Sequence, residues 1–257
     1  FVQTETDVPF FLLYGKSGIG KSCLMANAIE QLQTNSNFTI VFRFLGNSEQ
    51  SSTLTGALRS VITQLLPSKR IDQSISSDGK VVQQLITQLS GSAEAPKVIL
   101  FLDGLDQTPT FESEIHELIE YLPNNLKLVL SLSNETSNTA INYYDALHHT
   151  PHKLALGPLN ENHIRIVINT FLRQKGRILT SEQRLLLEKH CADKSPLYIN
   201  LACKIARNWK SYKTYGAGDL GDSEQQLLKR FLHLVTHERY HKKELVNAVL
   251  GNLSASK

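Results

Sequence analysis

Hydrophobic positions in the first half of the chain follow two alternating patterns. Short runs rich in β-branched and aromatic residues are typical of strands, and runs with apolar residues three and four apart are typical of amphipathic helices. The strand-like runs are Val8–Tyr14, Thr39–Leu45, Val98–Leu102, Leu126–Leu132 and His152–Leu156. The helix-like runs are Ser22–Leu32, Leu54–Leu66, Val81–Leu89 and Phe111–Tyr121. Strands that alternate with helices predict an α/β fold, a parallel sheet with helices on both faces.

After Gly157 the pattern becomes helical throughout. Asn160 can cap a first helix that ends before Gly176, because asparagine accepts from the free N–H groups at a helix start and glycine tolerates the left-handed turn at a helix end. Three further helical stretches follow, two of them with capping patterns. They are Leu185–Cys191 after the Thr180–Gln183 capping box, Leu197–Trp209 after Ser195 and Pro196, and Ser223–Leu250.

The change in pattern predicts the domain organisation. Residues 1–157 are expected to form the α/β domain, and residues 158–215 a smaller, all-helical domain. Three glycines between Lys213 and Asp222 are typical of a linker. Residues 216–257 are therefore expected to hold a linker and the start of a following helical region.

The composition is that of a globular protein. Of the 257 residues, 41% are hydrophobic, which is enough for a sizeable core and excludes a disordered tail. The formal net charge of +3 is too small to indicate a nucleic-acid-binding protein, so no nucleic-acid partner is expected. Three distant cysteines without a CxxC favour a reduced, cytoplasmic location. The longest fully apolar run, Phe10–Tyr14, is too short to cross a membrane, and a chain that begins with Phe1 is expected to be part of a longer one.

One segment between the first strand and the first helix matches a phosphate-binding loop. Gly15–Ser22 reads GKSGIGKS, which fits G-x-x-x-x-G-K-[ST] in full. Glycines let successive backbone N–H groups point at one anion, and the start of the next helix adds positive potential. Lys21 is expected to reach the β- and γ-phosphates, and Ser22 to ligate Mg²⁺. The predicted nucleotide-binding residues here are Gly15, Ser17, Gly18, Ile19, Gly20, Lys21, Ser22 and Cys23.

A second strand supplies candidate carboxylates. The run Val98–Leu102 ends in Asp103, the Walker B arrangement in which an aspartate holds Mg²⁺. Asp106 follows in the same loop, where it either orients the attacking water or serves as a turn residue. The predicted catalytic residues are therefore Lys21, Asp103 and Asp106, with Mg²⁺ on Ser22 and Asp103. The next strand ends in polar residues at Ser131–Asn134, which either sense the γ-phosphate or form a polar turn.

Together these residues resemble the NACHT group of STAND nucleotide-switch ATPases. The branch they resemble most contains nephrocystin-type, telomerase-associated-protein-type and WD-repeat NACHT proteins. The resemblance covers nearly the whole chain. The matching segments are Leu13–Met25, Phe42–Ser48, Val98–Asp106, Leu156–Asn160, Ser195–Ile199 and Leu228–Leu253.

The resemblance implies a P-loop NTPase sheet of the ASCE type, with a strand inserted beside the P-loop strand. It implies ATP or ADP with Mg²⁺, and a switch whose nucleotide state controls assembly, including a nucleotide-dependent homo-oligomer. Pro196 matches the family proline that packs against adenine. The residues after 216 resemble the approach to a winged helix, and flanking regions outside the chain are expected to bind protein partners.

Two departures from the family pattern concern hydrolysis. The family often has acidic residues directly after the Walker B aspartate, whereas here Gly104 and Leu105 intervene and Asp106 is the carboxylate available. The family's sensor strand often ends in arginine, where this chain has Ser133. Both departures argue against efficient hydrolysis.

Two main functional hypotheses follow. The first is an ATP- or ADP-dependent signalling switch, a slow P-loop ATPase within a larger protein. The second is an interaction scaffold that binds nucleotide without hydrolysing it. A small-molecule kinase fits less well, because no arginine-rich lid is evident. A GTPase is disfavoured because the guanine-reading N-K-x-D sequence is missing.

Three other features have simpler structural interpretations. His237–His241 matches the zinc-protease motif H-E-x-x-H, but its basic flanks and the lack of a well-spaced third ligand favour an exposed helix face. Cys23 at a helix start suits either a reactive thiolate or a small packing residue. A basic, aromatic stretch is either a partner or nucleic-acid surface, or a solvated helix face. Its residues are Lys204, Arg207, Trp209, Lys210, Tyr212, Lys213 and Tyr215.

Overall fold

The computed structural model describes ten segments of the chain. They are residues 10–35, 38–46, 52–65, 81, 83, 86–87, 97–108, 111–133, 152–236 and 243–255. The chain divides into two units, one of residues 1–17 and 21–156, the other of residues 18–20 and 157–257. No helix within the described segments is both long enough and apolar enough to span a membrane.

The first unit is a parallel sheet with helices on its faces. Its strands are β1 (Phe10–Gly15), β2 (Thr39–Phe44), β3 (Val98–Asp103), β4 (Leu126–Ser133) and β5 (His152–Ala155). Its helices are α1 (Lys21–Asn35), α2 (Leu54–Leu65) and α3 (Phe111–Glu120), and a short 3-10 turn spans Leu105–Gln107. All hydrogen-bonded neighbours run parallel, in the order β2-β3-β4-β1-β5. The predicted α/β fold class is confirmed, and β4 is the strand inserted between β1 and β3.

Successive side chains of a strand point to opposite faces of the sheet, so the core of this unit has two layers. On one face, Met25 and Ile29 of α1 pack in a cluster with Leu13, Ile99 and Val129. The other face carries a larger cluster that takes in α2 and α3. Its members include Leu12, Leu58, Ile62, Leu100, Ile115, Leu118 and Leu130. All six residues of β3 are buried, as expected for a strand covered on both faces.

The register of the sheet aligns the carboxyl ends of its strands. Gly15 of β1 pairs with Ser133 of β4, and Leu102 of β3 pairs with Leu130 of β4. Phe44 of β2 pairs with Asp103. Since parallel strands end at the same edge, the residues that follow β1, β3 and β4 emerge next to one another.

Some of the predicted elements fall partly outside the described residues. Of the predicted helix Val81–Leu89, residues 81, 83, 86 and 87 are described and are helical. Val8 and Pro9, at the start of the first predicted strand, lie outside the described residues.

The second unit is helical. Its helices are α4 (Glu161–Gln174), α5 (Ser181–Cys191), α6 (Pro196–Ala206), α7 (Glu224–Val235) and α8 (Lys243–Ala255). Their core includes Ile168, Leu187, Tyr198, Ile199 and Trp209. Within the segment expected to be a linker, Leu220 is fully buried in the same core.

The predicted caps form as the sequence indicates. Asn160 Oδ1 accepts from the His163 N–H at 2.9 Å. Thr180 and Gln183 make both bonds of a capping box. Ser195 caps α6 with Pro196 in its first turn, and Gly176 adopts a φ of 63° after α4. These ends were predictable because each depends on groups within four residues of one another.

One helix end differs from the prediction. The helix expected over Leu197–Trp209 ends at Ala206, and Trp209 instead lies beyond it, stacked on Tyr215 with ring centroids 4.6 Å apart. The Trp209 carbonyl accepts from Arg177 Nη2, so a tertiary contact binds the group that another helical turn would use. The stretch Ser223–Leu250, expected to be helical, contains α7 and the first part of α8.

Candidate functional site

The P-loop joins β1 to α1. Gly18 and Gly20 have φ angles of 72° and 104°, which glycine adopts without steric penalty. The Lys21 ammonium bends back over the loop, where Nζ donates to Gly15 O at 2.8 Å and to Lys16 O at 3.0 Å. Ser22 and Cys23 are exposed in the first turn of α1. A cation and a helix start are therefore held at the end of β1, an arrangement that suits an anion.

Asp103 is the buried last residue of β3. Its Oδ1 accepts a hydrogen bond from the Ser131 hydroxyl on the neighbouring strand β4. The same hydroxyl oxygen accepts from the Gly104 N–H at 3.0 Å. Ser131 is fully buried, so its bond to Asp103 is shielded from water and holds the carboxylate in one orientation.

Asp106 is held by both of its carboxylate oxygens. Oδ1 accepts from the backbone N–H of Ser133 at 2.9 Å, and Oδ2 accepts from Gln107 Nε2 at 2.7 Å. The predicted sensor tip of β4 therefore contacts both carboxylates, through the Ser131 side chain and the Ser133 main chain. This arrangement orients Asp106 and leaves a second acceptor position on each oxygen for a water molecule.

Two glycines shape the turn that carries Asp106. Gly104 begins the 3-10 turn with a φ of 76°, and Gly46 follows β2 with a φ of 75°. A Cβ on Gly46 would lie 2.9 Å from the Cβ of Gln107. The Leu45 N–H donates to Asp103 O at 2.9 Å, which ties the end of β2 to the end of β3. The position of Gln107, and through it that of Asp106, thus depends on a glycine at 46.

Sequence reasoning missed the roles of Ser131 and Gln107. It placed Ser131 at the strand tip as a candidate phosphate sensor, whereas its hydroxyl is bound to Asp103. A partial signal was available: Ser131 and Ser133 are two residues apart on a strand, so their side chains share one face, and that strand was expected beside the P-loop strand. Gln107 had no such signal, because its partners depend on the fold of the turn.

The other predicted site residues lie elsewhere or are not described. Pro196 is in the first turn of α6 in the second unit, and its contact with adenine stays a prediction. His237 and His241 of the H-E-x-x-H motif lie outside the described residues. Among the residues that are described, no three His, Cys, Asp or Glu side chains cluster to hold a metal ion.

The cysteines fall into two classes. Cys23 is exposed, whereas Cys191 and Cys203 are buried in the second unit. Burial raises the pKa of each buried thiol to about 12, and for Cys191 the nearby Cys203 adds to the effect. The two buried thiols are therefore protonated and unreactive at neutral pH.

Comparison with known sequences gives consistent matches. The model of the family "Nephrocystin 3, N-terminal" matches residues 1–134. Nephrocystin-3 of Xenopus laevis is 27% identical over 237 residues, which is 89% of this chain and 17% of that protein. NACHT and WD repeat domain-containing protein 2 of Homo sapiens is 24% identical over 260 residues, 96% of this chain and 15% of that protein. The chain thus spans about a sixth of the length of these relatives.

Solved structures share the fold at low sequence identity. CDC6P from Pyrobaculum aerophilum superposes with a TM-score of 0.54 at 14% identity, over 77% of this chain and 53% of that one. The Walker-type ATPase PABY2304 of Pyrococcus abyssi gives 0.54 at 13% identity, over 97% and 71%. These matches show a P-loop ATPase fold of the ASCE type.

Proposed function

The chain belongs to the nephrocystin 3 N-terminal family, as its resemblance to nephrocystin-type NACHT proteins predicted. From this premise we propose that it is an ATP- or ADP-binding module of a larger protein. In this proposal the bound nucleotide controls conformation and assembly, and hydrolysis is slow. The observation that carries the proposal is the pairing of a complete P-loop at the end of β1 with a buried, oriented Asp103 at the end of β3.

The residues present fit a magnesium nucleotide. The left-handed Gly18 and Gly20 let the loop curl around a phosphate, and the Lys21 ammonium already lies against the loop. Ser22 offers a hydroxyl and Asp103 a carboxylate, which are the oxygen ligands that Mg²⁺ prefers. When bound, Mg²⁺ would neutralise phosphate charge there.

In the switch form of the proposal, Asp106 orients the attacking water. The Ser133 N–H and Gln107 keep its carboxylate in a fixed direction, which is what a positioning group requires. The proposed catalytic set is then Lys21, Asp103 and Asp106.

A nucleotide-binding scaffold without turnover is the second candidate. It is favoured by two departures from the family pattern, Gly104 and Leu105 directly after Asp103 and Ser133 in place of the sensor arginine. The two candidates therefore make opposite predictions about Asp106→Asn.

The proposal extends to partners. NACHT and WD-repeat relatives of greater length suggest that flanking regions contact other proteins. We include protein partners and a nucleotide-dependent homo-oligomer in the proposed function, with a cytoplasmic location.

Nucleotide binding is tested by denaturing the purified chain and identifying any released nucleotide by chromatography. Stoichiometric ADP or ATP is expected from the wild type and from Lys16→Ala, a matched control in the same loop. Lys21→Ala should release none, because it lacks the ammonium that would contact the phosphates. If no variant releases nucleotide and none binds added Mg·ATP, the proposed function is wrong.

Turnover is tested by single-turnover hydrolysis of labelled ATP. A switch ATPase loses measurable hydrolysis in Asp106→Asn while retaining bound nucleotide. A scaffold shows the same background rate in the wild type and in the variant. The second result would replace the switch with the scaffold.

A further inference from the structure

The small net charge of the chain hides a strong asymmetry. Residues 157–257 carry 17 Lys and Arg against nine Asp and Glu, a formal balance of +8. Residues 1–156 carry 10 against 15, a balance of −5. Such an imbalance costs stability through self-repulsion, so it calls for an explanation in terms of a partner of opposite charge.

Part of this positive charge lies at one end of the second unit, which we call the basic end. Its members are Arg173, Lys175, Arg207, Lys210, Lys213 and Tyr212, all exposed. Two contacts join the segments that carry them. Arg177, just after α4, donates to the Trp209 carbonyl after α6. Gln183 of α5 donates to the carbonyls of Lys210 at 2.8 Å and Lys213 at 3.2 Å.

The cations of the basic end form no ion pair with the described residues of this unit. Among its described residues, the ion pairs are made by Arg165 and Arg184 with Glu161 and Glu188. Helix dipoles account for a cation in the last turn of α4 or at the end of α6. They do not account for Lys210 and Lys213, which lie in the turn beyond α6.

That turn is held by hydrogen bonds and a ring stack, and it presents an aromatic ring to solvent. Trp209 stacks on Tyr215 with an interplanar angle of 13°, and the Lys210 N–H donates to the Tyr215 hydroxyl at 2.7 Å. The Lys213 N–H donates to Lys210 O at 3.1 Å. Tyr212, held by this turn, is 87% exposed. An exposed ring among cations is suited to stacking on an unpaired base, while the cations contact phosphates.

A polar groove lies beside Tyr212. It has a volume of about 470 Å³ and is lined by residues 180–183 and 211–215. Glu182 is the carboxylate among these lining residues. A carboxylate would repel phosphate, but it accepts a hydrogen bond from a ribose 2′-hydroxyl, which DNA lacks.

We propose that the basic end of the second unit binds single-stranded RNA, with Tyr212 stacking on a base, the cations contacting phosphates and Glu182 accepting from a 2′-hydroxyl. Duplexes are poor ligands, because their bases are already stacked. An acidic polypeptide would satisfy the cations but would gain nothing specific from an exposed ring and a carboxylate. No residue of the basic end belongs to the proposed nucleotide site.

The test uses the whole 257-residue chain and fluorescence anisotropy with labelled oligo-U, oligo-dT and poly-glutamate over a range of salt concentrations. Lys175→Ala with Lys210→Ala should make the plot of log affinity against log salt shallower by about 0.7 for each phosphate that the variant no longer binds. The matched control is Lys189→Ala with Lys229→Ala, which removes the same charge from exposed positions elsewhere in the unit. The control should keep the wild-type slope.

Variants of Tyr212 and Glu182 test base stacking and 2′-hydroxyl recognition, which a purely electrostatic surface would not provide. Tyr212→Ala should weaken oligo-U binding about tenfold at an unchanged salt slope, and Tyr212→Trp should restore it. Tyr121→Ala, at another exposed tyrosine, is the control. Glu182→Gln should reduce the preference for oligo-U over oligo-dT. Lys21→Ala should bind RNA as the wild type does. The RNA proposal can therefore be tested even if the proposed nucleotide binding is wrong.

Several results would overturn the proposal. The first is that the wild type does not bind oligo-U, or binds oligo-U and oligo-dT with equal affinity. The second is that both double-lysine variants show the same change in salt slope. The third is that Tyr212→Ala binds oligo-U with unchanged affinity. Binding of poly-glutamate as tight as that of oligo-U would assign the surface to acidic polypeptides instead.

Discussion

The backbone N–H of Ser133, the last residue of β4, donates to Asp106 Oδ1 at 2.9 Å. Because the donor belongs to the main chain, the contact requires no particular side chain at position 133. It requires that β4 lie beside β3 and that β4 end where the N–H of its last residue reaches the Asp106 carboxylate. The direction of a candidate catalytic carboxylate is therefore set by strand order and register.

Gln107 tests this orientation within the proposed ATPase function. Gln107→Glu replaces the amide that donates to Asp106 Oδ2 at 2.7 Å with a second carboxylate. Two carboxylates at that distance repel when both are ionised. We expect the acid limb of the pH–rate profile for ATP hydrolysis to move to higher pH, whereas Gln107→Ala should lower the rate without moving that limb. An unchanged profile in Gln107→Glu would show that Gln107 does not position Asp106.

Ser131 tests the buried link between β3 and β4. Ser131→Ala removes the donor to Asp103 and the acceptor for the Gly104 N–H, and leaves the buried carboxylate and the half-buried N–H without these partners. We expect the free energy of unfolding to fall by about 1–3 kcal/mol, measured by urea unfolding followed by far-UV circular dichroism. Ser211→Ala, at an exposed serine, should change it by less than about 0.5 kcal/mol. Equal stabilities would contradict the role assigned to Ser131.

Gly46 tests the packing of the Asp106 turn. An alanine there must adopt a φ of 75°, and its Cβ would lie 2.9 Å from Gln107. Gly176→Ala is a matched control, because its φ is 63° but nothing lies within 4 Å of the added Cβ. We expect Gly176→Ala to cost about 1–2 kcal/mol and Gly46→Ala to cost more. Urea unfolding followed by far-UV circular dichroism measures both variants, and the single tryptophan, Trp209, reports the helical unit separately by fluorescence. A smaller loss in Gly46→Ala would contradict the close approach.

Cys191 and Cys203 predict how stability depends on pH. Both thiols have a folded pKa of about 12 against an ordinary 9.0, because burial disfavours the thiolate. The unfolded chain releases these protons first, so the stabilisation is complete below about pH 9 and is lost as pH rises toward 12, at about 1.4 kcal/mol per pH unit for each thiol. Tyr198, whose pKa is raised to about 12 mainly by burial, acts in the same direction.

The measurement is urea unfolding followed by Trp209 fluorescence at about pH 8 and about pH 10.5. The wild type and Cys23→Ala should lose stability equally between these two values. Cys191→Ala with Cys203→Ala should start from a lower stability and lose less of it. Equal losses in all three proteins would show that the buried thiols do not control the alkaline limb.

Sequence reasoning succeeded where structure depends on near neighbours. The P-loop is one contiguous motif, and the caps at Asn160, Thr180 and Ser195 join groups three residues apart, so each can be recognised without knowledge of the fold. The alternation of strands and helices was visible because burial on one or both faces imposes a period on apolar residues. The inserted strand and the family came from resemblance.

Tertiary structure decided what depends on residues far apart in the chain. Ser131 meets Asp103 across 28 positions and Arg177 meets Trp209 across 32, and the second contact accompanies a helix that ends at Ala206. The basic end likewise gathers cations from the ends of α4 and α6 and from the turn beyond α6, which a net charge of +3 conceals. By itself the sequence determined the local geometry of the P-loop, the caps and the class of fold. Which side chains bind the carboxylates, and where the charges gather, followed only from strand register and helix packing, because those contacts have no period along the chain.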